Sequence, residues 1–398
     1  MESVLYLVHR IPYPPNKGDK IRSYNILKFL AQRYRVHLGA FVDDAEDFKY
    51  QSALNEICAS NCLLPLNAKR SKFKSLSGFF RGQPLTVPYY HDNKMQRWVD
   101  EVLADNAIDK ALVFSSSMAQ YLSAPHFNRL RRLIDFVDID SDKWAQYKTQ
   151  ASSVMKLVYS YEARMLLKWE RQVAHEFDAS FFVSEKEADM FKLLAPEVSE
   201  KVSHFNNGVD TDYFSLDHEF ESPYPEDSKS IVFTGAMDYW ANVDAVVWFA
   251  NNVFPAIREK IADANFYIVG SKPDEKVKAL ASLRNIVVTG AVKDVRPYQA
   301  HAQVGVAPMR IARGIQNKVL EAMAMALPTV VSPQGYEGIN AAPGQELLVV
   351  DEVDAWIKAV VDLLSSGDVA SMAEAARQRV VQDYSWQGSL KRLEQFIR

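Results

Sequence analysis

The sequence predicts an α/β protein made of two doubly wound domains. The chain has 398 residues, and this length exceeds one ordinary core, so two domains of about 200 residues each are expected. Short runs of β-branched and aromatic residues alternate with longer helical patterns along the whole chain. Many of these runs are apolar throughout, which is typical of parallel strands buried on both faces. Helices between such strands favour a doubly wound sheet in each half.

The predicted strands fall into two groups separated by a polar stretch. In the first half they are Val4–His9, Val36–Val42, Leu112–Ser115, Leu133–Val137, Ala179–Ser184 and Val202–Asn206. In the second half they are Ile231–Thr234, Phe266–Val269, Ile286–Thr289, Val304–Ala307, Thr329–Val331 and Leu347–Val350. Turn residues, acids and prolines follow Asn206. We therefore predict domains at residues 1–206 and 207–383, and a C-terminal helix at 384–398 that packs back toward the first domain.

Composition restricts the classes of function. The 46 basic and 50 acidic residues give a formal net charge of -4, which argues against nucleic acid as the partner. No apolar stretch is long enough for a membrane-spanning helix, and the N-terminal segment lacks the pattern of a secretory signal. Cys58 and Cys62 lie four residues apart on a predicted helix without a partner for a metal site, so buried reduced thiols are expected. These features predict a cytoplasmic protein.

Three predicted strands in the second half end in glycine, at Gly235, Gly270 and Gly290. Glycine after a strand allows a tight turn or lets a ligand approach the backbone, and the sequence leaves both roles open. No G-x-G-x-x-G or P-loop pattern is present, so a nicotinamide-dependent oxidoreductase is disfavoured.

The most informative segment is Ala312–Ser332, where a strand leads through a loop into a helix that begins near Gln316. A helix start offers free N–H groups and the positive end of the dipole, which suits a diphosphate. Lys318 in the first turn could add a charge there, and Glu321, one turn on, could accept hydrogen bonds from ribose hydroxyls. The alternative is an ordinary amphipathic helix. A lysine near a helix N-terminus opposes the dipole by ~0.3–1 kcal/mol, so a bound anion explains it better.

This segment resembles the donor-site signature of glycosyltransferase family 4, a family of retaining enzymes with the GT-B fold. Phe205–Asp210 (FNNGVD) resembles the family's interdomain signature, and Asp178–Phe191 (DASFFVSEKEADMF) the element before it. The resemblance implies two Rossmann-like domains facing across a cleft, the first on the acceptor side and the second binding a nucleotide-sugar donor. It also implies hexosyl transfer with retention and without a bound metal or cofactor.

Within the family, the chain is similar to sugar transferases associated with exosortase/PEP-CTERM systems. The segments that carry this similarity are His9–Ala31, Phe80–Tyr90, Phe233–Phe249 and Arg313–Met325. The similarity implies a role in exopolysaccharide biosynthesis, with a glycan or polyprenyl-linked acceptor.

Two positions depart from the family pattern. Arg313 stands where the family has the first glutamate of its donor motif, and residues 236–242 lack the family's Arg-x-x-x-x-Lys pair. Lys318 and Arg313 could supply the missing positive charge. The predicted catalytic residues are therefore Lys318, Glu321 and Arg313. The residues expected to bind the donor are Gly18, Gly235, Gly290, Val292, Gly314, Gln316 and Asn317.

In the first domain, a predicted helix begins at about Asp19, directly after Gly18, and Arg22 follows one turn in, where we expect it on the acceptor side. The resemblance would place Gly18 against donor phosphates or acceptor, whereas Asp19 could equally mark a simple capped helix start. Asp138 and Asp140 follow a strand, where we expect acceptor contacts rather than a metal. Basic and aromatic residues alternate in Lys69–Arg81. Such a segment could rest on an anionic membrane surface or could be an ordinary solvated segment.

The sequence thus predicts a glycosyltransferase. A nucleotide-sugar epimerase of the same fold would instead convert the donor without an acceptor. A degenerate, sugar-nucleotide-binding scaffold would bind without turnover, and Arg313 is the feature that favours it.

Overall fold

The computed structural model describes residues 1–15, 18–150, 153–226, 228–312, 315–365 and 369–398, without the side chains of 148–150 and 153–154. The chain forms two compact units. One comprises Met1–Asn207 with Ser389–Arg398, and the other is Gly208–Gly388. Both are α/β, as the sequence predicts.

The first unit contains a seven-stranded parallel sheet. Its strands are β1 (Ser3–Val8), β2 (Arg35–Val42), β3 (Ser60–Pro65), β4 (Lys110–Phe114), β5 (Arg131–Val137), β6 (Ala179–Phe182) and β7 (Val202–His204). Their spatial order is β3-β2-β1-β4-β5-β6-β7, with every neighbouring pair parallel. The order reverses direction between β1 and β4, which is the doubly wound topology.

The α-helices of the first unit connect these strands. They are α1 (Gly18–Ala31), α2 (Gln51–Ile57), α3 (Ala68–Ser75), α4 (Ser77–Arg81), α5 (Thr86–Tyr89), α6 (Asn93–Asp105), α7 (Asp140–Gln150), α8 (Ser153–Glu176) and α9 (Glu185–Leu194). Side chains of β1 such as Leu5 and Leu7 are fully buried between the helical layers. Burial on both faces explains why these strands are apolar throughout.

The second unit contains a six-stranded parallel sheet. Its strands are β8 (Lys229–Thr234), β9 (Ala264–Val269), β10 (Ile286–Gly290), β11 (Val304–Ala307), β12 (Thr329–Val331) and β13 (Leu348–Val349). They lie in the order β10-β9-β8-β11-β12-β13, all parallel. The sheet order therefore reverses between β8 and β11, the position at which open α/β sheets bind ligands beyond their carboxyl ends.

The helices that follow are α10 (Trp240–Asn252), α11 (Phe254–Lys260), α12 (Glu275–Leu280), α13 (Arg296–His301), α14 (Asn317–Ala324), α15 (Pro333–Tyr336), α16 (Val353–Ser365), α17 (Ala370–Arg379) and α18 (Trp386–Ile397). The part of α18 from Ser389 onward belongs to the first unit. There Phe396 packs edge-on against Phe181 of β6, with ring centroids 5.2 Å apart.

The prediction that one helix carries both cysteines is wrong. Helix α2 ends at Ile57, Cys58 follows it, and Cys62 lies in β3. Burial raises the pKa of Cys58 to about 12 and that of Cys62 to about 11, so both thiols stay protonated at neutral pH. Within the described part of the chain, no helix is long and apolar enough to span a bilayer.

Candidate functional site

The second unit carries a cavity of about 500 Å³ at the carboxyl ends of β8, β9 and β10. The residues that follow these three strands form one side of it, and the first turns of α14 form the other. Its lining includes Gly235, Val292, Asn317, Lys318 and Glu321. The structure thus brings together five of the residues predicted to bind the donor or act in catalysis.

Glycines let the strand ends approach closely beside this cavity. A Cβ added at Gly270 would lie 1.6 Å from the Gly235 carbonyl oxygen, and one at Gly235 would lie 2.7 Å from Asn242 Nδ2. Gly290 has a φ of 69°, a left-handed conformation that glycine adopts without strain. It directly precedes Ala291 and Val292 in the lining. Local geometry therefore accounts for all three glycines, and a ligand contact at any of them stays a prediction.

The start of α14 faces the cavity through Asn317 and Lys318. Gln316 is the N-cap residue, with an extended backbone and a side chain that makes no capping hydrogen bond. The first N–H groups of an α-helix have no partner within the helix. A ligand with acceptor oxygens could therefore bond these amides, where the helix dipole also favours negative charge.

Lys318 is held in the wall of the cavity. Its Nζ donates a hydrogen bond of 2.5 Å to Asn242 Oδ1, and it lies 4.9 Å from the centroid of the Phe233 ring. Burial lowers the pKa of Lys318 to about 8, and the nearby Glu321 carboxylate opposes that shift. Among the described residues, no carboxylate lies within ion-pair distance of Nζ. The ammonium is therefore placed to neutralise an incoming anion.

Glu321 lies one turn after Lys318 on the same face of α14. Burial raises its pKa to about 7, while the Lys318 charge acts in the opposite direction. A carboxylate is an acceptor-only group when ionised. Glu321 can therefore accept hydrogen bonds from hydroxyl groups of a ligand whose phosphate lies at the start of the same helix.

Asn242 is a site residue that the sequence analysis missed. It is 4% exposed, and its Nδ2 donates a 2.9 Å hydrogen bond to the Ala236 carbonyl, which orients Oδ1 toward Lys318. The sequence does contain a signal for it, because Asn242 is the last residue of the stretch 236–242, where the chain departs from the family pattern. The amide of Asn242 can accept a hydrogen bond from Lys318, whereas a lysine in this stretch, as in the family pattern, would repel it.

Arg22 has a structural role in place of the predicted acceptor contact. Its guanidinium is 1% exposed and donates to both carboxylate oxygens of Asp135, at 2.7 and 3.1 Å. It also donates to the Phe205 carbonyl and to Asn207 Oδ1, at 3.0 and 2.9 Å. Every nitrogen is thus engaged inside the first unit, so none is available to an acceptor.

The remaining first-unit residues stay predictions. Gly18 is the first residue of α1, is exposed, and a Cβ there would meet nothing within 4 Å. Asp138 and Asp140 lie 3.9 and 3.8 Å from Lys143 Nζ, and burial raises the pKa of Asp140. In the described ranges no cluster of three potential metal ligands occurs. Arg313 and Gly314 lie outside the described residues.

Comparison with known proteins identifies the chemistry of the second unit. Residues 228–366 match the family model described as glycosyl transferases group 1. This segment contains the whole cavity lining, from Thr234 to Glu321. The second unit is therefore a group 1 glycosyl transferase domain, and the protein is a glycosyltransferase.

Proteins that match the whole chain have low sequence identity to it. A Klebsiella pneumoniae protein, described as an uncharacterized 44.6 kDa protein in the cps region, is 19% identical over 393 residues, 94% of each chain. The structure is similar to a glycosyltransferase from Rickettsia africae, with 15% identity, a TM-score of 0.65, and 99% and 98% of the two chains covered. It is also similar to HepE from Anabaena in complex with UDP, with 13% identity, a TM-score of 0.63 and 99% of both chains covered. The fold is that of GT-B glycosyltransferases.

Proposed function

We propose that the protein is a retaining glycosyltransferase of family 4, close to the exosortase-associated group, which binds a nucleotide sugar in the cavity of its second unit. The sugar would pass to a glycan or polyprenyl-linked acceptor in exopolysaccharide biosynthesis. The observation that carries the proposal is the placement of Lys318 and Glu321 in the wall of the cavity at the start of α14. The Klebsiella relative supports the pathway, since it is described as lying in a cps region.

The diphosphate would lie against the first amides of α14 and the Lys318 ammonium. Both groups favour negative charge, and the partly buried ammonium interacts with an anion more strongly than it would in water. Glu321, three residues further along the helix, would then accept hydrogen bonds from the ribose hydroxyls. The Anabaena structures described as complexes with UDP and with UDP-glucose support a uridine nucleotide as the first donor to test.

Transfer breaks the bond between the sugar and the diphosphate, so negative charge grows on the departing oxygen. Lys318 and the α14 amides would stabilise that charge, with Arg313 as a predicted second cation. Removing one such donor group costs about 10²–10³-fold in turnover in other enzymes. We propose retention without a protein nucleophile, the departing phosphate accepting the acceptor's proton. No metal or cofactor is needed in this scheme.

The first unit would bind the acceptor, with Gly18, Asp138 and Asp140 as candidate contacts. A cytoplasmic enzyme that rests on the inner face of the membrane could reach a polyprenyl-linked acceptor. Nucleic acid has no place in the proposal, given the net charge of -4.

Calorimetric titration with UDP-, GDP- and ADP-sugars tests the donor site. We expect one donor to bind the wild-type protein, and Glu321→Ala and Lys318→Ala to weaken its binding at least tenfold while remaining folded. The matched control is Lys358→Ala, because Lys358 is 77% exposed and pairs with Asp362 on α16. Equal donor affinity in all four proteins would refute the site. Binding without sugar transfer would favour the scaffold, and donor conversion without acceptor would favour the epimerase.

A further inference from the structure

An unusual apolar surface is exposed on the first unit, carried by α3 and α4. Phe73 is 79% exposed, Leu76 49%, Phe79 39% and Phe80 92%. Four large apolar side chains are thus exposed within eight residues, whereas single exposed apolar residues are common on soluble proteins. We call this set the Phe73–Phe80 surface.

Positive charge surrounds the Phe73–Phe80 surface. Lys69, Arg70, Lys72 and Arg81 are all exposed, and no Asp or Glu occurs between residues 66 and 91. The chain as a whole has a net charge of -4, so this cationic region contrasts with the rest of the molecule. Exposed apolar groups flanked by Lys and Arg alone are typical of segments that lie at a bilayer interface.

Helix α8 extends the same surface. The Tyr161 ring lies 4.5 Å from the Phe79 ring, and Leu157, one turn earlier on the same face of α8, is 74% exposed. Two elements far apart in sequence thus contribute apolar side chains to one patch. This continuity across elements is visible only in the folded chain.

A buried carboxylate fixes this arrangement. Glu162 is 1% exposed and accepts hydrogen bonds from the Leu85 amide at 2.5 Å and from the amide and hydroxyl of Thr86 at 2.9 and 2.5 Å. Next to it, the Tyr161 hydroxyl donates to the Gly78 carbonyl at 2.9 Å. A buried charge is tolerated only when it is hydrogen-bonded. Glu162 therefore ties the chain after α4 to α8, beside the exposed phenylalanines.

We propose that the Phe73–Phe80 surface docks the first unit onto an anionic lipid bilayer. The phenylalanines and Leu157 would enter the headgroup region, and the four exposed cations would face the anionic headgroups. Charge favours a bilayer over a second copy of the chain, because two copies would bring like charges together. This inference rests on the peripheral membrane position in the proposed function and names the surface that would provide it. Docking requires neither donor nor acceptor, so its failure would leave the transfer reaction untouched.

Vesicle co-sedimentation of the full chain tests the proposal, with vesicles of phosphatidylcholine alone or mixed with phosphatidylglycerol. We expect binding to the mixed vesicles that weakens as salt is added. Each basic residue near an anionic surface strengthens binding about fivefold. The combined variant Lys69→Gln, Arg70→Gln and Lys72→Gln should therefore bind about a hundredfold more weakly. Phe73→Ser with Phe80→Ser should reduce binding at least tenfold.

The matched controls change equally exposed groups elsewhere. Leu193 on α9 is 83% exposed, so Leu193→Ser should leave vesicle binding unchanged, as should Lys276→Gln with Lys358→Gln. Vesicle binding that is absent in the wild type, or equally strong in every variant, would overturn the proposal. So would a dimer in sedimentation velocity that Phe73→Ser with Phe80→Ser abolishes, because a second copy would then cover the surface. Donor titration of the same variants is expected to be normal, which separates this test from that of the transfer reaction.

Discussion

Lys318 and Glu321 show how burial alone can prepare a binding site. Burial lowers the pKa of Lys318 to about 8 and raises that of Glu321 to about 7, so each group is close to losing its charge. Between pH 4.5 and about 7 the folded chain holds a Glu321 proton that the unfolded chain releases. The free energy of unfolding therefore falls as pH rises through that interval. The pair reduces stability, which is expected of groups kept for a ligand.

The pair predicts a bell-shaped dependence of kcat/KM on pH. Donor binding needs Glu321 ionised to accept hydrogen bonds and Lys318 protonated to meet the diphosphate. We expect kcat/KM to rise with an apparent pKa near 7 and fall with one near 8, both belonging to the coupled pair. Steady-state transfer rates from pH 5.5 to 9.5 measure this.

Two variants assign the limbs of that profile. Glu321→Gln should remove the acidic limb, and Lys318→Arg should move the basic limb out of range, because a guanidinium stays charged. A flat profile for the wild type across this range would contradict the assignment of both residues.

Arg22 illustrates a residue whose role depends on a partner distant in sequence. Replacing it with alanine would leave the Asp135 carboxylate buried and unpaired. Removing one partner of a buried ion pair costs about 3–5 kcal/mol, so Arg22→Ala should lower the free energy of unfolding by that amount. Urea unfolding followed by circular dichroism measures the change.

Arg33→Ala is the control for this prediction. The Arg22 guanidinium lies 3.9 Å from the centroid of the Phe205 ring, and that of Arg33 lies 3.9 Å from the centroid of the Phe29 ring. The pair of Arg33 with Glu394 is longer, at 3.5 Å, and partly exposed. Exposed pairs contribute about 0.2–1 kcal/mol. Equal losses in the two variants would show that the Arg22–Asp135 pair has no special weight.

At the scale of elements, the sequence identifies buried strands and misses a peripheral one. Strands β1 and β11 appear as continuous apolar runs, because both of their faces are covered. Strand β3 lies at the edge of the sheet and reads SNCLLP, with intermediate burial, so its pattern lacks that signal. The predicted strand boundaries lie close to those in the structure, because Gly and polar residues follow most strands directly.

The sequence predicts those site residues that lie together on one secondary-structure element. Lys318 and Glu321 lie on a single helix, so their spacing in sequence determines their spacing in space. Asn242 lies on α10 and reaches Lys318 across 76 positions of sequence. The burial of Arg22 likewise depends on Asp135, 113 positions away. Such contacts depend on strand order, which side-chain periodicity does not encode.

The junction of β8 and β9 provides a prediction at this scale. Their carboxyl ends approach so closely that a Cβ at Gly270 would overlap the Gly235 carbonyl oxygen. Gly270→Ala must therefore displace backbone that lines the cavity. We expect it to lower stability by about 1–3 kcal/mol and to weaken donor binding at least tenfold. Gly18→Ala is the matched control for stability alone, since a Cβ there meets nothing within 4 Å and stability should not fall. Urea unfolding of both variants and donor titration of Gly270→Ala decide this. Unchanged donor affinity in Gly270→Ala would show that the strand ends tolerate movement.

At the scale of the molecule, each unit has a hydrophobic core of its own. In the first unit the core centres on residues such as Val113 and Phe177, and in the second on residues such as Phe249 and Trp356. The chain passes from one unit to the other at Asn207–Gly208 and again at Gly388–Ser389. A chain with two cores need not unfold as one cooperative block.

Differential scanning calorimetry should therefore show one unfolding transition for each unit, and ligand or mutation should shift only the transition of the unit that it affects. A donor nucleotide at a hundred times its Kd adds about 2.7 kcal/mol to the unit that binds it, which raises the Tm of a unit of this size by about 5–10 °C. We expect UDP to raise only the transition of the second unit and Arg22→Ala to lower only that of the first, because Arg22 and Asp135 both lie in the first unit. Glu321→Ala should abolish the UDP-dependent shift and leave the other transition in place. If UDP and Arg22→Ala instead move one common transition, the two cores unfold together, and the separate assignment of these residues to two independently folding units is incorrect.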